Sequence, residues 1–115
     1  MTRTQHNLSI AADHLRLFNH ESMRASKDWR YPSDTYAALA QITVIAQRLP
    51  QVIEQAIVPV EHVHREGRLV IDGGDDPDEA MRSIREAVRR ASECAATLAK
   101  LAAELHAEAH DMGAK

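Results

Sequence analysis

His106 and His110 stand four residues apart near the end of the 115-residue chain. That spacing puts two imidazoles on one face of a helix, from which they can bind a metal ion. Glu108 and Asp111 lie beside them. "HAEAH" is not the HExxH metalloprotease motif, however, because its glutamate comes one place too late. Further ligands cannot be named, and histidines near a helix C-terminus also suit the helix dipole. The expectation is a solvated face with no metal and no cofactor, His106 and His110 being the weak candidates for a metal pair. His62 and His64 are two apart and fall on different sides of a helix.

Other charged clusters read in the same way. "DGGDDPDE" gathers Asp72, Asp75, Asp76, Asp78 and Glu79, but it lacks the alternating oxygen ligands and distant glutamate of a calcium loop. Acidic residues at a helix start are what the dipole favours, so capping is expected here. Arg82, Arg85, Arg89 and Arg90 could touch phosphates, yet Glu86 and Glu93 lie among them, and Glu86 to Arg90 has the favourable i,i+4 order. "DWRYPSDTY" holds Trp29, Tyr31 and Tyr36, three of the four aromatic residues, with Arg30 between. Trp, Tyr and Arg dominate binding hot spots, so this stretch either plugs the end of a bundle or meets a protein partner. No nucleophile–base arrangement and no glycine-rich phosphate loop is present.

These residues have to be positioned by helices. Ala occurs 19 times and aromatic residues make up only 3% of the chain, so helices can approach closely over a core of Ala, Leu, Ile and Val. From Met81, apolar positions step by three and four through Ile84, Val88, Ala91, Ala95, Leu98, Ala102, Leu105, Ala109 and Met112. This predicts an amphipathic helix over 77–112 with an N-cap at Asp76 and a stop at Gly113. A second line runs Tyr36, Leu39, Thr43, Ala46, Pro50, Ile53, Ile57, Val60, His64. Its phase survives both prolines, which predicts one helix over about 33–65, capped by Ser33 and kinked at Pro50 and Pro59. A shorter helix is expected over about 4–27, capped by Thr4 or Thr2. The fold class is therefore all-α, a single domain: an elongated hairpin of two long helices plus a shorter N-terminal helix, a three-helix bundle per chain.

Two resemblances bear on function. "YPSDTYAALAQ" followed by "QRLPQ" resembles short Ala- and Arg-rich helical proteins of actinobacteria and their mobile elements, over roughly residues 10–60. That group carries no assigned activity, so the resemblance implies no catalytic residues. Glu108-x-x-Asp111 resembles half of the carboxylate signature of all-α nucleotide pyrophosphohydrolases. The upstream Glu-x-x-Glu is missing, since Glu54, Glu61 and Glu66 are spaced by seven and five, and too few ligands remain for a magnesium ion. Type VII secretion substrates are hairpins of similar length, but Trp29-Arg30-Tyr31 departs from their Trp-x-Gly turn.

A net charge of −3 gives no general case for nucleic acid or membrane binding. Cys94 is alone and cannot form an intrachain disulfide, and no apolar run reaches transmembrane length. A cytoplasmic location is expected. The first helix is too short to cover both long ones, which leaves apolar stripe without an intrachain partner. The expected function is a non-enzymatic interaction module that self-associates, as a dimer, through these stripes. The alternative is a nucleic-acid-associated regulator using Arg82 to Arg90, and a metal-dependent enzyme of the pyrophosphohydrolase type comes third.

Overall fold

A computed structural model describes residues 1–115. The chain is all-α, with α1 (Arg3–Glu21), α2 (Pro32–Ala56), α3 (Val58–Arg65) and α4 (Pro77–Glu108). α2 and α3 form one rod with a single-residue interruption at Ile57, and α4 returns alongside it. The result is a long hairpin of 65 × 28 × 21 Å, with α1 as the shorter third helix.

Local chemistry sets each boundary. Thr2 Oγ1 accepts from the Gln5 amide at 3.2 Å while the Thr2 amide donates to Gln5 Oε1 at 2.9 Å, a reciprocal cap. α1 ends at Glu21, short of the expected 27. Ser26 and Trp29 exchange backbone hydrogen bonds at 3.0 and 3.3 Å, and Ser26 Oγ donates to Asp28. That turn offers the backbone an alternative to another helical turn. Pro32 occupies the first turn of α2, so the cap falls on Tyr31 and not on Ser33. Asp34 closes it by accepting from the Arg30 and Tyr31 amides at 3.0 and 2.9 Å.

The two prolines behave differently. α2 runs through Pro50 without a break, whereas Ile57 leaves helical geometry just ahead of Pro59, the second residue of α3. Pro59 cannot donate to the carbonyl four residues back and its ring crowds it, so the rod restarts there. α3 ends in a Schellman turn, in which Gly67 at φ 72° lets Arg68 donate to Val63 and Gly67 to His64. Asp76 caps α4 ahead of Pro77 as expected, accepting from the Asp78 amide at 3.0 Å. α4 ends at Glu108, with Ala109 as C-cap, before Gly113 is reached.

α2–α3 and α4 are antiparallel along their whole length. At the loop end His64 Nε2 lies 2.7 Å from Asp78, and Arg85 Nε lies 3.8 Å from Glu61. At the open end the Tyr36 ring lies 4.3 Å from that of His106. Across this interface Ala46, Met81, Ala95, Ala102 and Ala109 form the buried apolar core, with Ser92 among them.

The inward face of α4 differs from the expected stripe in one respect. Ser92, Ala99 and His106 turn inward where Ala91, Leu98 and Leu105 were expected, and Leu98 and Leu105 are about half exposed, at 49% and 56%. Ser92, Ala99 and His106 themselves repeat every seven residues, so the helix keeps its heptad period and is rotated about its axis, with small residues in the interface and the leucines beside it. Thr43 meets its needs within α2 by donating to Leu39 O at 2.8 Å, but Ser92 Oγ is buried with no partner.

Two substitutions test this packing by urea denaturation. Ser92→Ala removes an unsatisfied hydroxyl and is expected to raise stability by about 1 kcal/mol. Ala102→Leu overfills the close approach and is expected to cost about 1–3 kcal/mol, while Ala103→Leu, exposed one residue on, should be close to neutral.

Candidate interaction surface

The buried alanines also define where the displaced apolar side chains lie. Ile45 precedes Ala46 by one residue and Leu101 precedes Ala102 by one; Ile42 and Leu98 precede the same alanines by four. In each helix this pair is rotated by the same angle, in the same sense, from the inward face. For an antiparallel pair, equal offsets of one sense fall on the same side. Ile42, Ile45, Leu98 and Leu101 therefore share one flank of the hairpin, and Leu105 continues it. Their exposures run from 39% to 56%. The opposite flank carries Gln47, Gln51, Ala103 and Ala107.

α1 borders this flank without closing it. No Cα of α1 comes within 8 Å of a Cα in the other helices, and Leu8, Leu15 and Phe18 are 52%, 48% and 42% exposed. Between α1 and α2 runs a groove of about 600 Å³ whose apolar walls include Leu15, Phe18, Ile42 and Ile45. Its closed end is pinned by Trp29, whose ring meets Phe18 edge to face at 5.5 Å. The hairpin thus buries alanines and Met81, keeps Leu39, Leu49, Ile53 and Ile84 partly buried, and carries Ile42, Ile45, Leu98, Leu101 and Leu105 on an open face.

The aromatic stretch is spread over three environments. Trp29 is half-buried against Phe18, and Tyr36 lies between His106 and His110, with ring centroids 4.3 and 5.9 Å away. Tyr31 is exposed; the Arg30 guanidinium lies 4.9 Å above its ring and donates to its hydroxyl at 2.9 Å. Trp29, Arg30 and Tyr31 line an open cleft of about 700 Å³ together with Asp111 and Met112.

His106 and His110 serve this aromatic packing. The expected solvated face is thus corrected for His106, whose Nε2 is buried and unpartnered, while His110 Nδ1 lies 2.9 Å from Asp111. No three His, Cys, Asp or Glu side chains converge on one point anywhere in the molecule, so Glu108 and Asp111 do not meet the carboxylates that a pyrophosphohydrolase centre needs. Three of the four arginines in the cluster are paired with carboxylates. Arg89 bonds Glu86 and Glu93, Arg90 Nε lies 3.9 Å from Glu86, and Arg85 faces Glu61. The Arg89 hydrogen bond holds the Glu86 carboxyl below its usual range, and Glu86 in turn raises the Arg89 pKa further. Of the four arginines, Arg82 alone has no ion-pair partner within 4 Å.

No family model, no curated protein and no solved structure matches this chain. No helix is long and apolar enough to cross a membrane.

Asp34 holds the junction between the aromatic stretch and α2. Hydrogen bonds from the Tyr31 amide first, then the Arg30 amide, lower its pKa below the ordinary 3.8. Between the folded value and 3.8 the unfolded chain binds more protons, so stability rises with pH there. The capping contribution is present above about 3.8 and is lost as pH falls through the lower folded value. Asp34→Asn is expected to flatten this acid limb of a stability–pH curve followed by circular dichroism.

Proposed function

We propose that this protein is a non-enzymatic helical assembly module that self-associates through its apolar flank. One observation carries the reading: the chain exposes far more surface than its mass requires. Its accessible area is 9246 Å², against roughly 6,300 Å² for a compact monomer of 12.8 kDa. Its radius of gyration of 19.3 Å compares with about 13 Å for a compact chain of this length. Only six of 115 residues are fully buried, and Leu98, Leu101 and Leu105 stay about half exposed. A contiguous exposed apolar face of this kind is a liability for a monomer and the raw material of an interface.

The site inventory favours the same reading over the other two. A nucleic-acid surface needs free cations, and Arg85, Arg89 and Arg90 all face carboxylates. A hydrolase of the pyrophosphohydrolase type needs converging carboxylates, and Glu108 and Asp111 have none beside them. The lone Cys94, exposed and unpaired, suits a reducing compartment such as the cytoplasm.

Sedimentation equilibrium at tens of micromolar is expected to return a multiple of 12.8 kDa. A single species of monomer mass at high micromolar concentration would overturn the proposal.

A further inference from the structure

The open face has two features that fit one another, a groove and a ridge, and they lie side by side. The groove between α1 and α2 is walled by Leu15, Phe18, Ile42 and Ile45. The ridge is Leu98, Leu101 and Leu105 on α4. Their levels along the hairpin coincide. The cross-hairpin neighbours Tyr36–His106 and His64–Asp78 have residue numbers that sum to 142, and Glu61–Arg85 to 146. Residues 98–105 therefore stand opposite residues 37–48, the span that contains Ile42 and Ile45.

We infer that the partner is a second copy of this chain, and that the α4 ridge of each copy seats in the α1–α2 groove of the other about a two-fold axis parallel to the hairpin. The inference rests on the self-association proposed above and specifies its geometry. A two-fold axis along the hairpin exchanges left and right on the face but preserves level, so ridge meets groove twice in one isologous interface. An axis across the hairpin would place groove on groove and ridge on ridge, leaving the void between α1 and α2 unfilled.

The area is of the right size. The surplus of roughly 3,000 Å² per chain over a compact monomer exceeds the share that each copy contributes to a homodimer interface burying about 2,000 Å² or more in total. The seating also supplies α1 with a packing partner that its own hairpin does not provide, since its backbone stays beyond 8 Å from the other helices. The two copies would form a six-helix bundle in which Leu8, Leu15 and Phe18 of one flank α4 of the other.

The test uses the full chain with Cys94→Ala, labelled with a nitroxide at Asp75→Cys in the exposed loop between α3 and α4, and read by double electron–electron resonance. Asp75 lies 26 residues from Leu101, the middle of the ridge. With the axis parallel to the hairpin the two labels share a level, and the distance is expected below about 40 Å, given neighbouring helix axes about 10 Å apart. With the axis across the hairpin they fall at opposite ends, about 80 Å apart at about 1.5 Å per residue.

A dimer by sedimentation with only the long distance overturns the reciprocal seating and leaves self-association standing. A monomer overturns both. Leu101→Asp on the ridge and Ile45→Asp in the groove are each expected to weaken dimerisation at least about thirtyfold, with helicity by circular dichroism retained at high protein concentration. Gln51→Asp on the opposite flank should leave the dissociation constant unchanged. If Leu101→Asp and Ile45→Asp stay folded and dimerise as tightly as the parent, the ridge-and-groove interface is wrong.

Discussion

α2 and α4 approach each other through alanine. Ala46, Ala95, Ala102 and Ala109 occupy the centre of the hairpin, where small side chains let two helical backbones come close. Close approach maximises dispersion contact per residue but removes little apolar area, because an alanine has little to bury. The hairpin is therefore held by many small contacts at its centre, by Met81 and the partly buried Leu39, Leu49, Ile53 and Ile84, and by side-chain contacts at its two ends. His64–Asp78 and Glu61–Arg85 secure the loop end, and the Tyr36 ring between His106 and His110 secures the open end. Larger side chains placed at the centre would force the helices apart. Leu98, Leu101, Leu105, Ile42 and Ile45 consequently stand beside the interface and not within it.

The exposed flank follows from that packing. If the leucines of α4 pointed inward, the same sequence would make an ordinary hairpin with a larger core and a polar exterior. The rotation that brings in Ser92, Ala99 and His106 costs two orphaned polar atoms, Ser92 Oγ and His106 Nε2. Each unsatisfied buried group costs about 1–3 kcal/mol. This cost, with leucines left in water, is what motivates the self-association proposed above. In the proposed dimer the leucines regain their burial against the second copy.

Much of this architecture was legible in the residues. The unbroken phase across Pro50 predicted a continuous helix there because burial along one face outweighs a single lost hydrogen bond. Pro59 proved the stronger interruption, and the proximity of the helix end at Arg65 explains why: few residues remain beyond it to reward continuity. The caps at Thr2 and Asp76 follow from side-chain chemistry alone. The cap of α2 did not, because Ser33 looked suitable while Pro32 had already claimed a place in the first turn. The rotation of α4 was the least visible feature. Three-and-four spacing fits two adjacent lines through an Ala- and Leu-rich helix equally well, and only the partner's side-chain sizes decide between them. Equal displacements of Ile42 and Ile45 from Ala46, and of Leu98 and Leu101 from Ala102, were present in the sequence all along. They acquire meaning once the two alanines are known to be buried in an antiparallel pair.

The position of α1 is the last consequence. Its capping box and its three-and-four spacing make it a well-formed helix on local grounds, yet most helical stability in proteins comes from packing an amphipathic face. Trp29 against Phe18 anchors one end only. α1 is tethered at one end, with Leu8, Leu15 and Phe18 half exposed beside an apolar groove. Closing onto its own α2 would bury α1 but leave Leu98, Leu101 and Leu105 in water. In the reciprocal dimer inferred above, another chain's α4 would bury both sets together, which makes α1 and the α4 ridge parts of one proposed surface.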